Sequence, residues 1–94
     1  MAANKSPPGQ FNILYFASAA SFTRKPSENF PAPVPVTELF DFLEEKYPGI
    51  KKSVLNSSAL TVNLEYVDVE EDAAAGMVIK EGDEVGIIPP VSSG

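Results

Sequence analysis

The sequence contains no cysteine and no histidine among its 94 residues. Without cysteine the chain has no disulfide, no thiolate nucleophile and no side-chain persulfide. Without histidine it lacks the usual general base and the commonest metal ligand. These absences argue against a self-sufficient hydrolase, metalloenzyme or redox enzyme. We therefore expect no catalytic side chain, no metal site and no bound cofactor.

A transmembrane segment and a signal peptide are also missing from the sequence. No apolar run approaches the length of a membrane span, and the first nine residues, MAANKSPPG, have no apolar core and only Lys5 as a charge. Because 44% of the residues are apolar, one soluble globular domain is expected. We expect disorder over residues 1–9, the domain over 10–90, a flexible tail over 91–94, and a cytoplasmic location without membrane contact.

Charge is distributed unevenly along the chain. Residues 1–60 hold six basic and five acidic groups, whereas residues 61–94 hold one basic group, Lys80, and eight acidic groups, which together give the net charge of −6. This balance argues against binding to nucleic acid or anionic membranes and favours a basic protein partner near the tail. Solubility of a small domain is an equally good explanation.

Four segments have the pattern of β-strands. Residues 11–17 carry apolar side chains at both parities, which predicts a central strand covered on both faces, or covered on one and apolar on the other. Residues 60–67 alternate and predict one half-buried strand, with Leu60, Val62, Leu64 and Tyr66 on the same face. Residues 77–79 predict a short strand, residues 80–83 a turn, and residues 84–88 the last strand.

Residues 37–47 predict the main helix. Thr37 is the expected N-cap, and Glu38 and Asp41 place negative charge in the first turn, where the helix dipole favours it. Pro48 and Gly49 end the pattern. The apolar stripe predicted to face the core consists of Leu39, Phe42, Leu43 and Tyr47.

The remaining segments are less regular. Residues 18–21 are small and polar and predict a turn. Residues 22–35 contain four prolines, which exclude a central strand but permit an edge strand within residues 29–34. Residues 50–58 predict a connection with a helical turn near Val54 and Leu55, and residues 67–76 an exposed acidic loop. Strands on both sides of one main helix indicate an α+β fold, with that helix packed across a mixed sheet.

The last thirteen residues, GDEVGIIPPVSSG, join a core strand to a short tail. Pro89 and Pro90 lack a backbone N–H, so the hydrogen-bond ladder of the strand must end there. Four further residues reach roughly 13 Å when extended, which is enough to enter the cleft of a neighbouring protein. Gly94 has no Cβ, so its carboxylate can enter a narrow channel. The candidate functional atom is therefore the C-terminal carboxyl carbon of Gly94.

The ending GDEVGIIPPVSSG resembles that of the molybdopterin synthase small subunit family, the MoaD-like sulfur carriers, whose pattern is a GDEVA-type turn and strand followed by PPVSGG. The opening ILYFASAAS, the segment VTELFDFLEEKYPGI and the strand LTVNLEYVD are also similar to this family. Together these stretches cover most of residues 11–94. One position departs from the family pattern, because Ser93 stands where the family usually has glycine.

The resemblance implies the ubiquitin-like β-grasp fold, with the first and last strands parallel at the centre of the sheet. It implies that a separate ATP-dependent enzyme adenylates Gly94 and converts it to a thiocarboxylate, so that ATP is used by that partner. The tail residues would then thread into the large catalytic subunit of molybdopterin synthase, in a heterotetramer, where sulfur passes to a cyclic pterin precursor of the molybdenum cofactor. The threading residues are Pro89, Pro90, Val91, Ser92 and Ser93.

Two alternatives stay open on the sequence alone. The chain could be a related ubiquitin-like carrier for thiamine or tRNA thiolation, or a conjugator that joins Gly94 to target lysines. It could also be a plain binding module whose tail is incidental, in which case a residue added after Gly94 changes nothing. The ending PPVSSG favours the molybdopterin branch.

Overall fold

The computed structural model describes residues 7–67 and 76–90 of the chain. Along this part of the chain, strands precede and follow a group of helices. The strands are β1 (Gln10–Tyr15), β2 (Ser27–Pro31), β3 (Val34–Pro35), β4 (Ala59–Val62), β5 (Glu65–Val67), β6 (Val78–Ile79) and β7 (Glu84–Ile88). The helices are α1 (Ser18–Thr23), α2 (Val36–Lys46) and α3 (Ile50–Ser53), and a 3-10 turn spans Leu55–Ser57.

Five strands form one mixed sheet in the order β2-β1-β7-β4-β5. The central pair, β1 and β7, is parallel, and the other neighbours are antiparallel. Strands β3 and β6 form a separate two-stranded sheet. The predicted α+β architecture is confirmed, including the parallel placement of the first and last strands that defines the β-grasp arrangement.

The core lies between one face of the sheet and the helices. From the sheet, Ile13, Val85 and Ile87 are fully buried, and from α2, Leu39 and Leu43 meet them without any exposed surface. A fully buried aliphatic side chain contributes roughly 1.5–3 kcal/mol relative to an exposed one. The layer of helices therefore holds β1 and β7 in fixed positions from one side only.

The last strand agrees with its predicted bounds, and so do the short strand and turn before it. β7 covers residues 84–88, and β6 lies within residues 77–79. The turn between them is closed by two hydrogen bonds, in which the Asp83 N–H donates to Lys80 O at 3.0 Å and the Lys80 N–H donates to Asp83 Oδ2 at 2.8 Å. β7 thus starts from a rigid turn.

The turn predicted at residues 18–21 is wrong, because α1 occupies this position. Ala19 lies in this helix and is fully buried, and the Thr23 hydroxyl donates a hydrogen bond to Ala19 O at 3.1 Å. Ala17 and Arg24 bracket the helix with positive φ angles of 51° and 64°. The small residues of this segment predicted a turn, but the packing of Ala19 against the core stabilises a helix instead.

The single strand predicted over residues 60–67 is also wrong. Val62 pairs with Glu65, so the chain reverses through Asn63 and Leu64, and β4 and β5 form a hairpin. Both turn residues have positive φ, as in a type I′ turn, at 51° and 72°. The reversal breaks the predicted alternation, and Leu64 and Tyr66 lie exposed instead of facing the core with Leu60 and Val62.

Helix α2 begins one residue earlier than predicted. Pro35 is extended at the N-cap position and makes no side-chain cap, so the cap assigned to Thr37 is wrong. The Val36 N–H donates to Met77 O at 3.0 Å, and Val36 is buried. The buried stripe therefore runs through Val36, Leu39 and Leu43, and Phe42 lies at its edge, 39% exposed.

The proline-rich segment forms the edge strand that its composition allowed, with bounds shifted toward the N-terminus. β2 pairs only with β1, so its outer side needs no donor from Pro26 or Pro31. The predicted helical turn near residues 54–55 corresponds to α3 and the 3-10 turn after it. Residues 7–9 form a turn in which the Gly9 N–H donates to Glu81 Oε2 at 2.7 Å. Residues 1–6 and most of the predicted loop 67–76 lie outside the described residues.

Candidate functional site: the end of the last strand and the open sheet face

The last strand is held on both sides up to its final residue. Ile87 pairs with Tyr15 on the parallel side, and Ile88 pairs with Ala59 on the antiparallel side. The Phe16 N–H adds a hydrogen bond to Ile87 O at 3.2 Å. The chain that leaves β7 therefore starts from a point fixed by both neighbours.

The ladder ends where the two prolines begin, as predicted from their missing N–H groups. β7 stops at Ile88, Pro89 is buried and Pro90 is exposed. The other predicted tail residues, Val91, Ser92, Ser93 and Gly94, lie outside the described residues. The structure thus fixes the base of the tail at Pro90.

Within residues 7–67 and 76–90, no other element covers the sheet face away from the helices, and this face carries three cross-strand rows of side chains. The row next to the tail contains Phe16, Ile88 and Ala59. The middle row contains Leu14, Gly86, Thr61 and Tyr66. The row farthest from the tail contains Asn29, Asn12, Glu84 and Asn63. The two rows nearest the tail are uncharged, and Phe16 and Tyr66 are 46% and 76% exposed. We call these two rows the docking face.

The sequence predicted only some of the residues on this face. The apolar residues at both parities in residues 11–17 were the available signal, and Leu14 and Phe16 indeed lie opposite the buried Ile13 and Tyr15. Tyr66 was missed because the hairpin turn was missed. The alternating pattern of residues 60–67 placed Tyr66 on the same face as Leu60, which is the core face.

The acidic residues of the last third that the structure describes do not surround the base of the tail. Glu81, Asp83 and Glu84 precede or begin β7, while the tail leaves its other end. Glu65 pairs with Val62 at this same far end. Among the residues that the structure describes, the acidic groups of the last third therefore lie about one strand length from the tail base. The expectation of a basic partner near the tail gains no support from their placement.

Glu28 forms a buried polar cluster behind the end of β1. Its Oε1 accepts hydrogen bonds from the Tyr15 and Tyr47 hydroxyls at 3.0 and 2.7 Å, and its Oε2 is bound by Lys25 Nζ at 3.2 Å and by Lys46 Nζ. Burial opposes ionisation, but the hydrogen bonds outweigh it and lower the pKa of Glu28 to about 2. Burial and this carboxylate raise the pKa of Tyr47 to about 12. The cluster ties the ends of β1 and α2 together beside the end of β7, and nothing in the proline-rich sequence indicated it.

Residues 7–67 and 76–90 contain no helix that is long and apolar enough to cross a membrane. The same part of the chain brings together no group of three acidic side chains that could hold a metal ion. The features that stand out are thus the fixed tail base and the open face beside it.

These features define a class, the ubiquitin-like β-grasp proteins whose central last strand leads into the C-terminal residues. The chain belongs to the ThiS family, whose sequence pattern matches residues 13–94. It is 60% identical, over the whole of both chains, to the molybdopterin synthase sulfur carrier subunit of Phaeosphaeria nodorum. This similarity confirms the resemblance to the MoaD-like sulfur carriers.

Solved structures support the same fold. SAMP1 from Haloferax volcanii has a TM-score of 0.72 at 21% identity, covering 92% of this chain and all of that one. A chain from the complex of subunits 1 and 2 of the molybdopterin-converting factor from Helicobacter pylori matches with a TM-score of 0.63 at 24% identity, covering 90% of this chain and 99% of that one. At these identities the likeness establishes the fold alone.

Proposed function

We propose that this chain is the sulfur carrier subunit of molybdopterin synthase and that Gly94 carries the sulfur as a thiocarboxylate. The observation that supports this best is the position of β7, which anchors the tail base between β1 and β4 at the centre of the sheet. Full-length similarity to a sulfur carrier subunit and the ending PPVSSG support the same assignment. The fold by itself would serve a conjugator equally well.

The proposed chemistry begins with activation, because a carboxylate is a poor acyl donor. A separate enzyme joins the Gly94 carboxylate to the AMP part of ATP and releases pyrophosphate. Sulfur at the oxidation level of hydrosulfide then attacks the acyl carbon, the bond to AMP breaks, AMP leaves, and the thiocarboxylate remains. After the sulfur passes to the cyclic pterin precursor, water supplies the oxygen that restores the carboxylate. ATP is therefore used by the activating enzyme, in the cytoplasm, and this chain binds no cofactor.

In this proposal the tail is long enough to enter the cleft of the large subunit and small enough to expose Gly94 to the reagents. Four residues beyond Pro90 reach at most roughly 13 Å when they are fully extended. Val91, Ser92 and Ser93 would thread into the cleft of the large subunit, with Pro89 and Pro90 stiffening the base. Gly94 lacks a side chain that would hinder the reagents. A hydroxymethyl group at Ser93 is small enough to follow the same path.

The docking face is the proposed contact with the large subunit. It adjoins the tail base, and a protein that encloses Gly94 must lie within the reach of four residues from Pro90. Phe16 and Tyr66 are exposed aromatic side chains on a rigid sheet, and aromatic residues are enriched among the side chains that dominate binding energy. The resemblance to the family also implies a heterotetramer, in which two carriers and two large subunits assemble through such contacts.

The catalytic groups belong to the partners in this proposal. The sequence has no cysteine or histidine to act as nucleophile or general base. Glu28, the carboxylate most strongly perturbed here, is occupied by four donors on the opposite side of the sheet from the docking face. The chain would act as a substrate-like carrier between two enzymes.

Mass spectrometry of the tail tests the proposal. The chain is incubated with its activating enzyme, ATP and a sulfur donor, and is then cut after Lys80. The released peptide, residues 81–94, contains no methionine, so an exchange of oxygen for sulfur cannot be confused with methionine oxidation. A sulfur-bearing peptide that requires ATP is expected. An unmodified peptide from an enzyme that loads another carrier in parallel would refute the proposal, and high-mass species linked through Gly94 would identify a conjugator.

A further inference from the structure

The turn between β4 and β5 holds a large apolar residue in a backbone conformation that does not suit it. Leu64 has a φ of 72°, a region that glycine and asparagine tolerate and that strains a leucine. Its side chain is 85% exposed, so burial in the core does not compensate for the strain. Strain of this kind persists only where surrounding contacts hold the backbone, and it is concentrated at functional sites.

The turn is also unusually well fixed for an exposed reversal. Asn63 holds it against the start of β7, because the Asn63 N–H donates to Glu84 O at 2.7 Å and Asn63 Oδ1 accepts from the Glu84 N–H at 2.9 Å. Asn63 Nδ2 donates to Asp83 Oδ1 at 3.1 Å. Leu64 is therefore presented from a rigid support, which lowers the entropy lost on binding.

We propose that Leu64 is a second anchor for the large subunit, at the end of the sheet opposite the tail. This inference rests on the proposed function and extends its docking face. Tyr66, already in that face, lies two residues away on the same hairpin, and both side chains are exposed, so a partner that covers Tyr66 comes within reach of Leu64. A five-residue strand spans about 13 Å, and a standard interface of about 800 Å² per partner covers this length.

The surroundings of Leu64 specify the chemistry of the pocket that receives it. Glu65 is exposed beside it, and Asp83 and Glu84 lie at the end of β7 to which the turn is bonded. We therefore expect the pocket on the large subunit to be apolar and to place a basic group against Glu65, while Lys80, which lines the same surface as Asn63, Glu65 and Asp83, offsets part of the acidic charge there. Two anchors at opposite ends of the sheet fix the direction in which the tail enters its cleft, which a single contact near Pro90 does not.

The test compares stability and affinity in the same variants. In Leu64→Gly the backbone strain disappears together with the apolar side chain, so the midpoint of thermal unfolding rises by about 4 °C while binding to the large subunit weakens about tenfold. In Leu64→Asn the strained backbone is tolerated and the apolar group is again lost, so affinity falls similarly. Calorimetric titration of the unmodified carrier with the large subunit measures the affinity.

Phe42→Ala is the matched control. Phe42 is an apolar side chain with substantial exposure on the helical side of the molecule, away from the docking face, and its removal leaves the affinity unchanged. Equal affinity of wild type and Leu64→Gly for the large subunit would overturn the inference, as would a loss confined to the activating enzyme. Failure of the wild type to bind the large subunit at all would instead refute the proposed function.

Discussion

Gly86 and Thr61 face each other across β7 and β4 so closely that no side chain fits between them. A Cβ on Gly86 would lie 2.5 Å from Thr61 Oγ1. Strand registers place the two residues directly opposite each other in the middle row of the docking face. We expect Gly86→Ala to lower the free energy of unfolding by about 1–3 kcal/mol, because Thr61 must move from its packed position. Urea denaturation measures this change.

Thr61→Ala provides the control for that prediction. In the Thr61→Ala background the clashing oxygen is absent, so adding Gly86→Ala should cost little further stability. Equal costs in both backgrounds would show that the glycine is needed for another reason than this contact.

Neighbouring isoleucines on β7 should separate stability from binding. Ile87 is fully buried in the core, whereas Ile88 lies half-buried on the docking face. Ile87→Ala is expected to lower the free energy of unfolding by about 2–5 kcal/mol. Ile88→Ala should cost about 1 kcal/mol or less in stability and weaken binding to the large subunit about tenfold. Thermal unfolding of both variants measures their stability, and titration with the large subunit measures their affinity. If Ile87→Ala weakened binding and Ile88→Ala lowered stability, the docking face would be assigned to the wrong side of the sheet.

Glu28 should make the stability of the fold depend on acid. Its folded-state pKa of about 2 lies below the ordinary value of 4.5, so its stabilising contribution is fully present above about pH 5 and is lost as the pH falls through 2. Because the four donors hold a charged carboxylate, Glu28→Gln should flatten this pH dependence and remove on the order of 2–3 kcal/mol at neutral pH. Unfolding curves recorded between pH 2 and pH 7 provide the measurement. An unchanged pH profile in the variant would contradict the role of Glu28.

A residue added after Gly94 should abolish sulfur loading without changing stability. The added residue converts the carboxylate of Gly94 to a peptide bond and places the new terminal carboxylate one residue beyond the position that the activating enzyme recognises, while the sheet stays intact. The sulfur-bearing tail peptide should disappear and the thermal midpoint should stay the same. If the extended chain were loaded with sulfur at the wild-type rate, the carboxyl group of Gly94 would not be the sulfur-carrying group. Ser93→Gly, which restores the usual family residue, should load at least as fast as the wild type.

Strong local signals in the sequence were sufficient for the main helix and for the last strand. The core residues Leu39 and Leu43 and the end of β7 at Pro89 follow from periodicity and proline chemistry alone. The hairpin at Asn63 and Leu64 could not be predicted, because a leucine at a positive φ contradicts turn preferences and is held there by contacts to β7. Glu28 was equally hidden, since its four partners come from three separate parts of the chain. The parallel pairing of β1 and β7 came from family resemblance, because local patterns do not specify which distant strands pair.

The central position of β7 also affects how the chain folds as it is synthesised. β7 lies between β1 and β4, yet the ribosome delivers it after both of them. Until it arrives, β1 and β4 each have an unpaired edge, and the sheet is divided into two separate hairpins, β1 with β2 and β4 with β5. Such long-range pairing makes folding slower than in proteins dominated by local contacts. A nascent chain therefore closes its sheet only when the strand that carries the tail has been made, so the anchored tail base and the finished fold appear together.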